Sequence, residues 1–217
     1  MIMDIHAGHA ARRAVVMLPG STPKSIDPRE TVVFLAGSID EGRAEKWQDE
    51  AIASLSDLDV VVLNPRRDHW NAGLRQDIDE PEFVDQVDWE LDGIERADVV
   101  LFHFSPAGPA PITLLELGKA TALRKRIVIS CPEGYWRRGN VQVVARRAGT
   151  QVHDSLAEAM TSLRKMLRSY GHEAVTMDVD EALRRALMAS TVHVYDPIML
   201  DDVQDSGVDA SDAGEPR

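Results

Sequence analysis

The residues best suited to chemistry in this chain are acids set among apolar neighbours. Glu116 lies within VVLFHFSPAGPAPITLLELGKA (Val99 to Ala120), where an apolar run, a Pro/Gly loop and a helix start follow one another. An acid just past the end of a buried strand stands where open α/β sheets place their ligand sites, and a carboxylate there is a candidate nucleophile. Leu114, Leu115 and Leu117 flank it, so its side chain is expected to face a site or an internal partner. Burial raises the pKa of such a group while a helix N-terminus favours its anion, and the two effects oppose each other. The competing structural reading is an acid paired with Lys119 or Arg124. A second acid, Glu90, sits one helical turn from Gln86 in a stretch that also holds Asp85, Asp88 and Asp92, most of which read as a solvated face.

Polar residues follow the ends of other apolar runs. After Val32–Ala36 come Gly37 and Ser38, a glycine that lets a ligand approach the backbone and a hydroxyl near a helix start, suited to a phosphate or a sugar. A plain strand-to-helix turn explains the same residues. After Val60–Leu63 comes Asn64-Pro-Arg66-Arg-Asp68-His-Trp70-Asn, opening a long loop that reaches about Glu80. Loops of that length inside a domain tend to be functional: Trp70 can stack on a flat ring while Asn64 or Asp68 meets its edge. A charged surface loop with one anchoring tryptophan is the alternative. His103, inside an apolar run, reads as a satisfied core residue, and Cys131 as buried and inert. Asn140 follows a strand and begins a helix, which by itself makes it an N-cap.

The elements that must position these residues alternate along the chain. Short continuous apolar runs at Val32–Ala36, Val60–Leu63, Val99–Phe104 and Arg126–Cys131 predict strands buried on both faces. Between them, Ala44–Leu55, Glu82–Arg96, Ile112–Leu123, Asn140–Arg147 and Ser155–Leu167 carry apolar residues at helical spacing, with Asp154 as the expected cap of the last. The order predicts an α/β fold, a doubly wound parallel sheet with helices on both faces. The expected organisation is an extended leader at 1–30 with at most one strand at Ala14–Leu18, a domain at 31–169, a helical extension at 170–195 centred on Asp178–Ala189, and an acidic, disordered tail at 196–217.

Composition narrows the function classes. The chain has 217 residues, a formal charge of −12, one cysteine and seven histidines. Seven acids against Arg217 give Asp196–Arg217 a net charge of −6, half the excess, as expected of a solvating tail. Such acidity argues against a nucleic-acid polymer as partner, because phosphate backbones are bound by Lys and Arg. A single cysteine and scattered histidines offer neither a disulfide nor a zinc pattern, so no metal is expected. No signal-peptide core or membrane-length segment occurs, and the expected location is the cytoplasm.

In order, FLAGSI (Phe34–Ile39), NPRRDHW (Asn64–Trp70), WELDGIERAD (Trp89–Asp98), PITLLELG (Pro111–Gly118) and CPEGYWRRGNV (Cys131–Val141) resemble the nucleoside 2-deoxyribosyltransferase family, closest to its branch with PRRD and CPxGxWRxGNV signatures, over roughly Val32–Leu167. The resemblance implies a flavodoxin-like fold and no cofactor. It implies that Glu116 is the nucleophile that attacks the anomeric carbon of a 2-deoxynucleoside and holds the sugar as an ester. Glu90 would position or protonate the base, Asn140 would contact the sugar from a neighbouring subunit of a homo-oligomer, and Gly37 and Ser38 would line the pocket. These roles fit an oxocarbenium-like reaction served by two carboxylates. The chain departs from the family in Ser105–Pro111, which lacks an acid that transferases often use for the base and leaves Asp68 or Asp40 for that task. A related N-glycosidase, with Arg43 or Arg66 holding a 5'-phosphate, and a nucleotide sensor without turnover are the alternative functions.

Overall fold

A computed structural model of the chain describes residues 13–39, 44–67 and 73–174. Asp40, Arg43, Asp68, Trp70, the expected helix at Asp178–Ala189 and the acidic tail lie outside the described residues. The elements are β1 (Val15–Met17), β2 (Val32–Gly37), α1 (Trp47–Leu55), β3 (Val61–Leu63), α2 (Pro81–Arg96), β4 (Val99–His103), α3 (Pro111–Ala122), β5 (Arg126–Ser130), α4 (Arg138–Arg147), β6 (Val152–His153) and α5 (Leu156–Ala174).

All six strands pair in parallel in the order β1-β3-β2-β4-β5-β6. From β3 to β6 this is the doubly wound, flavodoxin-like arrangement, with β1 added outside β3. The strands are short and apolar because both faces are covered. Val32, Phe34 and Ala36 pack with residues of α2, α3 and α4 on one side, while Val33 and Leu35 pack with α1 and α5 on the other. Successive side chains on a strand point to opposite faces, so each strand feeds both cores.

Helix α5 shows how the sequence sets an element. Leu156, Met160, Leu163 and Leu167 recur at helical spacing and are all buried. Its cap is Ser155, not Asp154: the Glu158 N–H donates to Ser155 Oγ at 3.2 Å, and Glu158 Oε2 accepts from the Asp154 N–H at 3.1 Å. This reciprocal arrangement satisfies two backbone donors at the helix start, which Asp154 one residue earlier would not do. The two-residue β6 went unread because so short a strand has no periodicity to detect.

Residues 13–30 are tied to the domain. β1 is an edge strand with Val15 and Val16 exposed and Met17 partly buried, while Ile26 enters the core. Trp89 Nε1 donates to Ser21 Oγ at 3.2 Å, Lys24 pairs with Asp92 at 2.6 Å, and Arg96 donates to the carbonyls of Asp27 and Glu30. All three contacts clamp this segment along α2, the helix that carries Glu90.

Candidate active site

The order of the sheet reverses between β2 and β4: the connection from β2 goes to β3 on one side, and the chain then crosses back to β4 on the other. At such a switch point the carboxyl ends of the strands open a crevice. The two strand ends are stitched together there. The Ser38 N–H donates to the His103 carbonyl at 3.0 Å, and Ser38 Oγ accepts from the Ser105 N–H at 3.0 Å. Trp47 Nε1 donates to the Ser38 carbonyl at 3.0 Å. Gly37 is needed here for packing: a Cβ would lie 2.5 Å from the His103 carbonyl oxygen and 2.6 Å from the Trp47 ring. A side chain at Gly37 is therefore excluded by the indole and the neighbouring strand, and Ser38 orders the backbone between the two strand ends.

Glu116 lies in the second turn of α3 and is buried, 6% exposed. It makes no hydrogen bond or ion pair with any described residue. Lys119 pairs with Glu95 at 2.8 Å instead, and Arg124 is exposed in the turn after α3. The structural reading of Glu116 as an internal ion-pair partner is thereby set aside. Burial, followed by repulsion from Glu90, pushes its carboxyl well above the ordinary 4.5. Helix-terminus stabilisation fades beyond the first turn, so desolvation wins. The flanking leucines do not create this setting, since Leu115 is 63% exposed and only Leu117 is fully buried beside it. Adjacent helical residues point about 100° apart, so neighbours in sequence are not neighbours in space.

Glu90 reaches the same region from α2. Burial raises its carboxyl too, opposed by a hydrogen bond from Gln86 and by the charge of Arg67. Gln86 Nε2 donates to Glu90 Oε1 at 2.7 Å and to the Pro65 carbonyl at 3.1 Å. Arg67 Nε donates to Gln86 Oε1 at 2.6 Å and its guanidinium pairs with Glu82, also at 2.6 Å. The two acids thus differ: one is supported by a polar chain, the other stands alone.

Of the remaining expected residues, Asn64 and Arg66 turn to the opposite side of the sheet. Asn64 Oδ1 accepts from the Arg66 N–H at 3.0 Å, and Arg66 donates to the carbonyls of Ala44 and Glu45 and to Gln48 Oε1, before and within α1. Arg67, its neighbour, turns to α2. Side chains alternate along extended backbone, and that alternation gives the two arginines of the PRRD run separate tasks. Arg67 and Gln86 were missed as site residues, although the spacing of Glu82, Gln86 and Glu90 places them on one helical stripe. Asn140 is exposed in the first turn of α4 and is not its N-cap, because the helix begins two residues earlier at Arg138. His103 is a core residue whose Nδ1 meets Ser130 Oγ at 3.0 Å, and Cys131 is buried, its thiol pushed up to about 11.

Residues 30–135 match the model of the family described as nucleoside 2-deoxyribosyltransferase like. This segment resembles that family. The match takes in β2 to β5 together with Glu90 and Glu116, and the deoxyribosyltransferase-like domain has the all-parallel architecture expected of it. No curated protein matches the chain. Among the described residues of the deoxyribosyltransferase-like domain and its flanks, no cluster of His, Cys, Asp and Glu is arranged to hold a metal, and no helix is long and apolar enough to cross a membrane.

Proposed function

We propose that the protein is a glycosyltransferase that moves the 2-deoxyribosyl group of a nucleoside from one base to another through an ester on Glu116. The observation that carries this reading is a buried carboxyl on α3, free of ion pairs among the described residues and adjacent to a second carboxyl, in a chain segment that resembles the deoxyribosyltransferase-like family. A carboxylate kept out of water and out of ion pairs retains its lone pairs for an electrophilic carbon.

In the first half-reaction a Glu116 oxygen attacks C1' as the bond from C1' to the base nitrogen breaks, and Glu90 gives the departing nitrogen its proton. In the second, a nitrogen of the incoming base attacks C1', the ester bond breaks to regenerate the Glu116 carboxylate, and the proton returns to Glu90. One proton and one sugar are conserved over the cycle, with no cofactor. General acid assistance at the leaving nitrogen is worth roughly 10² to 10⁴ in rate.

Base recognition falls to Asp68 and Trp70 of the run after β3, and a homo-oligomer in which the exposed Asn140 meets a neighbour's sugar completes the site. Solvent-facing Ile112 and Leu115 on α3, with Trp136 and Val143 beside and on α4, supply the apolar surface for that contact. Arg66 is directed at carbonyls preceding α1, which favours a nucleoside over a 5'-monophosphate held by that guanidinium.

Incubation with a panel of 2'-deoxynucleosides, with and without a second free base, tests the reading. Base exchange that requires the second base is expected. Free deoxyribose formed without it identifies an N-glycosidase, and tight binding without turnover identifies a sensor. Glu116→Ala is expected to abolish turnover, by at least about 10³-fold, while leaving the circular dichroism spectrum unchanged.

A further inference from the structure

Gln86 is held in one orientation by three different groups. Its Oε1 accepts from Arg67 Nε, while its Nε2 donates both to the Pro65 carbonyl and to Glu90 Oε1. Rotating the amide by 180° would set its NH₂ against a guanidinium N–H, and its carbonyl against a carbonyl and a carboxylate. Arg67 is itself braced by Glu82 one turn above Gln86 on α2. The amide is therefore locked, and both of its N–H groups are committed.

The consequence falls on Glu90. A donor fixed on Oε1 makes that oxygen the acceptor, so when the carboxyl is protonated its hydrogen resides on Oε2, which has no hydrogen bond among the described residues. We propose that Gln86 is a positioning residue that reserves Glu90 Oε2 for proton transfer to the leaving base, with Arg67 and Glu82 fixing the amide that does so. The same contacts tie Pro65 and Arg67, just after β3, to this acid. The proposal rests on the reading of Glu90 as the acid that protonates the leaving base.

The test compares two leaving groups in the full-length protein. One substrate is the 2'-deoxynucleoside it turns over best; the other is 4-nitrophenyl 2-deoxyriboside, whose aglycone departs as an anion and needs no proton. Gln86→Leu is expected to lower kcat on the nucleoside by roughly tenfold to a hundredfold, and kcat on the nitrophenyl substrate by less than about threefold. If Leu disturbs α2, Gln86→Met keeps the length and removes both donors. Glu90→Gln is measured alongside and should show the same split more strongly, and the Gln86→Leu/Glu90→Gln double variant should lose little more than Glu90→Gln alone. Equal losses on both substrates, or no loss, in the Gln86 variants while Glu90→Gln keeps its split would overturn the role of Gln86. Absence of the split in Glu90→Gln itself, or of nucleoside turnover by the unmodified protein, overturns the underlying reading instead.

Discussion

Glu116 and His103 are both buried, and each links folding to pH in its own direction. The Glu116 carboxyl titrates well above its ordinary 4.5 because burial penalises its charge. With the folded pKa raised, the cost is absent below the unfolded value, where both states hold the proton, and grows as pH rises toward the folded pKa. Glu116→Gln is therefore expected to raise the melting temperature at pH 7 and to have no stabilising effect at pH 4, as differential scanning calorimetry would register. His103 runs the other way: desolvation lowers it from 6.5 to about 4. The stability it leaves intact above pH 6.5 is lost as pH falls through that window, by at most about 3 kcal/mol. His103→Gln removes this titration, and the drop in stability between pH 7 and pH 4.5 should shrink accordingly. Of these two roles the chain foreshadowed the residues better than their surroundings. His103 was expected in the core and lies there, whereas the isolation of Glu116 depends on Lys119 choosing Glu95, a choice made by helix geometry.

At the scale of elements, the position of α2 decides where Glu90 stands. Gly93, one turn beyond it, lets the helix press on β2: a Cβ there would lie 2.7 Å from the Phe34 ring and 3.4 Å from Leu63 Cδ1. Alanine is the better helix former by about 1 kcal/mol, but overpacking a fully buried ring costs about 1–3 kcal/mol. With Phe34 fully buried the second effect should win, so Gly93→Ala is expected to lower stability in urea denaturation despite its higher helix propensity. The helices and strands themselves were legible. The apolar runs at Val32, Val60, Val99 and Arg126 all became strands, and the five amphipathic stretches became five helices, most with boundaries moved by a few residues and α5 running seven residues beyond Leu167, to Ala174. Asn140 and Asp154 were misplaced as caps because capping depends on where the backbone leaves its helical dihedrals, and several polar residues near each start compete for that position.

For the molecule as a whole, the described body leaves Ile112, Leu115, Trp136 and Val143 facing solvent. The homo-oligomer proposed above covers this surface. Leu115→Arg is then expected to shift the protein toward monomer in sedimentation velocity and to lower kcat through the displaced Asn140, with little change in melting temperature at a dilution where the unmodified protein is also monomeric. A wild-type protein that is monomeric at all concentrations would sink that arrangement. Such a surface is invisible to sequence patterning, since Leu115 and Leu117 read alike until the helix phase assigns one outward and one to the core.

The amino-acid order alone determined that this chain forms a parallel, two-sided α/β sheet, and that Glu116, beyond a strand end, and Glu90, on the preceding helix, stand in motifs that resemble the deoxyribosyltransferases. The sheet follows from local periodicity, which short-range physics fixes, and the pairing of the two acids from the resemblance of the motifs in their order. Only the tertiary structure decided that Arg67 rather than Arg66 serves the acid side, that Gly37 makes room for Trp47, and that Gln86 is locked onto Glu90. Each of those outcomes turns on which face of the sheet a side chain meets, and on burial that removes water from competing partners. Neither is set until helices from distant parts of the chain are packed against the strands.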